Sequence, residues 1–124
     1  MRKLLLICGV ALAAVSVSAA SAAPEKSGPQ VIRSGKCSGA ATWKLKLQND
    51  DGRLEIEFEV DQNVVGRRWT VALRRNGRVV FRGVKRTLAP SGSFTARKLA
   101  AGPGGTVFAS ARSGAQSCRG AASL

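Results

Sequence analysis

The sequence predicts an all-β fold, an antiparallel sandwich of about seven strands that follows an N-terminal export signal. Three observations carry that expectation. After Cys37, apolar and polar residues alternate with a period of two, the pattern of strands with one buried face. Short clusters of Gly, Asn, Asp, Ser and Pro separate the alternating segments at close spacing, and no helical period appears outside the signal. Two cysteines, Cys37 and Cys118, bracket the alternating region.

The N-terminal stretch "MRKLLLICGVALAAVSVSAASAAPEK" has the three parts of a secretory signal. Arg2 and Lys3 form the positive end, Leu4 to Val17 the apolar run, and Ala20-Ser21-Ala22 the small residues that a signal peptidase reads. Cleavage is expected after Ala22, giving a signal peptide over 1–22. The apolar run of ~14 residues is shorter than the ~20 that a bilayer-spanning helix needs, so no transmembrane segment is expected in the mature chain. The expected location is outside the cell, free or retained at the cell envelope. Cys8 leaves with the signal, and in an oxidising compartment the remaining pair, Cys37 and Cys118, is expected to form a disulfide. Residues 23–36, "APEKSGPQVIRSGK", are rich in Pro, Gly and Ser without sustained periodicity. They are expected to be a flexible leader, ordered only near Cys37, before a single β-sandwich domain over 37–124.

Within that domain "TWKLKL" sets Trp43, Leu45 and Leu47 on one face and Lys44 and Lys46 on the other. "RLEIEFEV" sets Leu54, Ile56, Phe58 and Val60 against Glu55, Glu57 and Glu59. Pairing them as a hairpin around "QNDDG", with Leu47 opposite Leu54, puts Lys46 across from Glu55 and Lys44 across from Glu57. Such opposite-charge pairs each contribute a few tenths of a kcal/mol up to about 1. The glutamate cluster is thus a device of register and not an acid–base site. "RRWTVALRRNGRVVFRG" gives two more strands. A three-residue loop, Arg75-Asn76-Gly77, with Gly77 as a bulge, is expected there because it keeps Trp69, Val71, Leu73, Val79 and Phe81 on one apolar face. "SFTARKL", "TVFASARS" and "CRGAASL" complete the set.

The segments "CSG", "WKLKL", "DDGRLEIEFEVDQNVVGRRW", "NGRVVFRG", "APSGSFT" and "SCRG" resemble a group of small exported actinobacterial proteins with an immunoglobulin-like sandwich. Trp69, on the third expected strand, resembles the core tryptophan of immunoglobulin domains. The resemblance implies the fold and export, carries no activity, and supplies no site residues.

Chemistry is sparse. The chain has no histidine, which removes the commonest general base and the usual zinc sites. Glu55, Glu57 and Glu59 face outward from one strand and do not converge on a cleft as glycosidase carboxylates do. Asn49, Asp50 and Asp51 lack the further acidic ligands of a calcium loop. No enzyme activity, no cofactor and no metal site are expected. The charge is the pronounced feature: the formal net charge is +13, and no Asp or Glu follows Asp61. Arg67, Arg68, Arg74, Arg75, Arg78, Arg82, Lys85 and Arg86 gather around the Asn76-Gly77 hairpin, a patch that would attract polyanions. Nucleic acid fits less well, because Trp43, Phe58, Trp69 and Phe81 fall on the core side of their strands and leave few aromatics for base stacking. The pattern leaves Phe94 and Phe108 unassigned. The expected role is a secreted, non-catalytic interaction module of the extracellular space or cell envelope. Its expected partner is an anionic cell-envelope polymer or another extracellular protein, and the alternative reading is a cationic binder of envelope polyanions.

Overall fold

Alternation in the sequence becomes eight antiparallel strands in the computed structural model, which describes residues 28–124 together with Ala11, Ala13, Ala14 and Ser16. The signal expected over 1–22 lies, those four residues aside, outside the described residues, as does the start of the leader. The strands are β1 (Gln30–Lys36), β2 (Thr42–Asp50), β3 (Arg53–Asp61), β4 (Arg68–Arg75), β5 (Arg78–Arg86), β6 (Ser93–Ala101), β7 (Thr106–Ser113) and β8 (Gln116–Ser123). They form two four-stranded sheets, ordered β1-β2-β3-β6 and β5-β4-β7-β8. The order β5-β4-β7-β8 over β2-β3-β6 matches the strand order of an immunoglobulin-type Greek key, with Trp69 on the strand equivalent to C.

The strand beyond the expected seven is β1. Residues 30–36 do not belong to a mobile leader. They pair along their whole length with β2, from Gln30 opposite Gln48 to Lys36 opposite Thr42. The strand escapes the alternation test because it is a sheet edge where only Val31 and Gly35 are even half-buried.

The β2–β3 hairpin keeps the expected faces and moves the expected register by two residues. Leu47 stands opposite Ile56, Leu45 opposite Phe58 and Trp43 opposite Val60. Lys46 therefore meets Glu57 and Lys44 meets Glu59, in place of Glu55 and Glu57. The cause is a two-residue turn at Asp51-Gly52, both with positive φ (50° and 76°), the backbone of a type I′ hairpin that Asp-Gly favours. A shift of two leaves every side chain on its face.

The β4–β5 hairpin departs further. Its turn is also two residues, Asn76 (φ 49°) and Gly77 (φ 82°), with Arg75 opposite Arg78. Parity is restored farther along by a bulge: Arg74 pairs with Val79 and Leu73 with Phe81, so Val80 is the extra residue. Val79 is consequently exposed, and Val80 takes the expected place against the core.

The core is filled unevenly. β2, β3 and β4 supply most of its large side chains, Leu45, Leu47, Leu54, Ile56, Phe58, Val60, Trp69, Val71 and Leu73, each with no exposed surface, and Phe94 of β6 and Val107 of β7 join them. β6 and β7 also contribute the small Ala96, Ala109 and Ala111, so each sheet mixes large and small side chains on its inner face, as dense packing allows. Trp69 lies against Phe94, ring centroids 6.3 Å apart. Near β1 and β8 the ring of Trp43 lies against Gly35 and Gly120, where an added Cβ would come within 2.8 Å and 2.5 Å of it. Cys37, in the β1–β2 connection, is disulfide-bonded to Cys118 of β8 across a separation of 81 residues.

Candidate functional site: the outer face of the second sheet

The two sheets carry opposite electrical designs. On the first, glutamates of β3 run up the middle of the outer face. Lysines of β2 lie opposite them on one side, and Arg97 of β6 flanks them on the other, its guanidinium 3.6 Å from Glu57 Oε1. The second sheet contains no carboxylate, since no Asp or Glu follows Asp61.

The outward residues of the second sheet fall into rows given by the register. One row runs Arg82, Ala72, Ser110, Arg119 across all four strands. The next runs Val84, Thr70, Arg112, Ser117, and on the other side lies Val79, Arg74, Phe108, Ala121. Beyond the second row Arg68 stands directly opposite Arg86. Small residues in the middle and long guanidinium groups around them leave two shallow depressions that share Ala72, Ser110 and Arg119. The first is bounded by Arg82 and Arg112. The second is bounded by Arg74 and Phe108, and Arg33 of β1 reaches its rim.

The eight basic residues singled out in the sequence are divided by the fold. Arg68, Arg74, Arg82 and Arg86 lie on this face. Arg67 sits in the loop before β4, and Arg78 is exposed beside the turn. Arg75 turns the other way and is half-buried. Its guanidinium donates to the carbonyls of Ala101, Gly102 (2.8 Å), Pro103 (3.1 Å) and Gly104 (Nε at 2.9 Å), fastening the β6–β7 loop. Lys85 stands opposite Trp69, with Nζ 5.8 Å from the centroid of the Phe81 ring.

Three members of the face were missed: Arg112, Arg119 and Phe108, the last 56% exposed. The signal for them was present. In "TVFASARS" Val107, Ala109 and Ala111 point inward, which sends Phe108, Ser110 and Arg112 out; in "QSCRGAAS" a buried Cys118 sends Arg119 out. Of the other aromatics, Phe94 is buried at 4% exposure, and Trp43 and Phe81 are half-buried against the core.

Guanidinium groups can hold an anion, often through two parallel hydrogen bonds. The arrangement defines a class: a disulfide-linked β-sandwich with an arginine-lined sheet face. Comparison with known proteins goes no further, for no family model, no curated protein and no solved structure matches the chain.

Proposed function

We propose that the chain is a secreted, non-catalytic module that binds an anionic cell-envelope polymer along the outer face of its second sheet. The observation that supports this reading is the contrast between the sheets. The first sheet places Lys44 and Lys46 opposite glutamates. The second sets Arg68 directly across from Arg86. Like charges directly opposite are destabilising, so the second face tolerates a repulsion that an anionic ligand would relieve.

Residue choice supports the same reading. The basic residues facing outward from β4, β5, β7 and β8 are Arg68, Arg74, Arg82, Arg86, Arg112 and Arg119, without a lysine among them. Arginine grips phosphate or carboxylate in a fixed two-pronged geometry, whereas lysine acts as a point charge. The rows of small residues between them leave room for a chain to lie flat.

The test is titration of purified protein with a polyphosphodiester of the teichoic-acid type and with an acidic polysaccharide, at several salt concentrations. Binding is expected to weaken steeply with salt, as counterion release requires. Replacing Arg74, Arg82, Arg112 and Arg119 with alanine, one after another, is expected to weaken it stepwise and to flatten the salt dependence at each step. Binding that is indifferent to salt, or unchanged by all four substitutions, would overturn the proposal. Capture of an extracellular protein that persists at high salt would favour a protein partner instead.

A further inference from the structure

We infer that the end of the sandwich formed by residues 62–67 and 87–92 is a docking tip for an anionic lipid bilayer, with Val64, Val65 and Leu88 as the side chains that enter it. These three are 44%, 55% and 63% exposed, and they project from two loops that touch each other at one end of the molecule. The other large exposed apolar side chains, such as Ile32, Val84 and Leu99, lie on strands.

The exposure is enforced by the backbone. Buried Thr87 ties the loops together. Its hydroxyl donates to the carbonyl of Val64 and accepts the amide of Arg67 at 2.9 Å, and its own amide donates to the Arg67 carbonyl at 2.9 Å. The amide of Gly66 donates to the Thr87 carbonyl at 2.8 Å, and that of Gln62 to the Gly92 carbonyl at 3.0 Å. Gly92 lies so close to the other loop that a Cβ there would stand 2.3 Å from the Val64 nitrogen. Loops held this way cannot turn Val64, Val65 and Leu88 back into the core.

The surroundings select the occupant. Arg67 follows Val65 by two positions, and Arg68 and Arg86 face each other at the adjoining ends of β4 and β5. The acid beside the loops is Asp61, whose carboxylate accepts the amide of Asn63 at 3.1 Å. Apolar side chains at the apex, guanidinium groups just behind them, and a single engaged carboxylate match the section through an anionic membrane surface. Apolar side chains reach the acyl boundary while cations meet headgroup phosphates. The inserting side chains Val64, Val65 and Leu88 lie off the polymer-binding face, and the two sites share Arg68 and Arg86.

The test uses the chain from Ala23 onward, which contains every described strand and the disulfide. Co-sedimentation is expected with vesicles of phosphatidylcholine mixed with phosphatidylglycerol, and not with phosphatidylcholine alone. Val65→Ser and Leu88→Ser are expected to lower the partition coefficient roughly tenfold each, from the lost apolar transfer, with thermal unfolding unchanged. An environment-sensitive fluorophore on Leu88→Cys should shift to the blue on the anionic vesicles, and one on Ser110→Cys should not. The shift at position 88 should survive alanine at Arg74, Arg82, Arg112 and Arg119. The inference falls if no vesicle binds, if both lipids bind alike, or if the serine variants bind as the parent does. It also falls if the fluorophore shifts without vesicles as protein concentration rises, which would make a second copy the occupant.

Discussion

Trp69 shows how a single side chain is specified twice, once by its strand and once by a partner that no pattern announces. Its place on the apolar side of β4 follows from alternation, and it has no exposed surface. Its indole N–H, however, donates to Oε1 of Gln62 at 2.9 Å, and Gln62 is itself buried in the connection before β4. Nothing in "DQNVV" marks Gln62 as a core acceptor, because its role depends on how the chain crosses between sheets. Trp69→Phe would keep most of the apolar contact and leave that amide oxygen unpaired in the interior. Urea denaturation is expected to show a loss of about 2–3 kcal/mol, while Gln62→Ala in the Trp69→Phe background should cost less than in the parent.

At the scale of elements, faces were legible, Val79 and Val80 apart, and registers were not. A period of two is unchanged when a strand slides by two residues, so the alternation of Leu54, Ile56, Phe58 and Val60 cannot choose between Leu54 and Ile56 as the partner of Leu47. The information lay in the dipeptide Asp51-Gly52, whose positive φ values close the hairpin in two residues. The same holds at Asn76-Gly77, where the parity conflict is absorbed by the bulge at Val80 instead of the turn. Arg75 shows what this costs a reading by charge alone. It belongs to the arginine run of the hairpin by sequence, and to the β6–β7 loop by its hydrogen bonds. Arg75→Ala is expected to lower stability by about 2 kcal/mol and to speed amide exchange over 101–105, because several carbonyls lose a charged donor. Its effect on polymer binding should be smaller than that of Arg82→Ala.

For the molecule as a whole, the two sheets are held by a shared core and by one covalent link near their β1–β8 side. The Cα atoms of Cys37 and Cys118 are 4.3 Å apart, and the link closes a loop of 81 residues in the unfolded chain. On the chain-entropy account, removing it costs roughly 4–5 kcal/mol, a large share of the ~5–15 kcal/mol by which domains are usually stable. Replacing both cysteines with serine is therefore expected to move the urea midpoint far down, with the far-ultraviolet spectrum of the folded state retained at low denaturant. The pairing was legible because only two cysteines remain after the expected cleavage. The arginine face was legible in part. Charge counting located the hairpin's contribution, but Arg112 and Arg119 join it only because β7 and β8 lie beside β4, a neighbourhood set by non-local pairing.

Because the described carboxylates lie in β2, β3 and the turn between them while the second sheet has none, the molecule is a permanent dipole as well as a cation. Near an anionic polymer it experiences a torque as well as an attraction. It would arrive already turned, arginines foremost, so that fewer collisions are wasted on the wrong side.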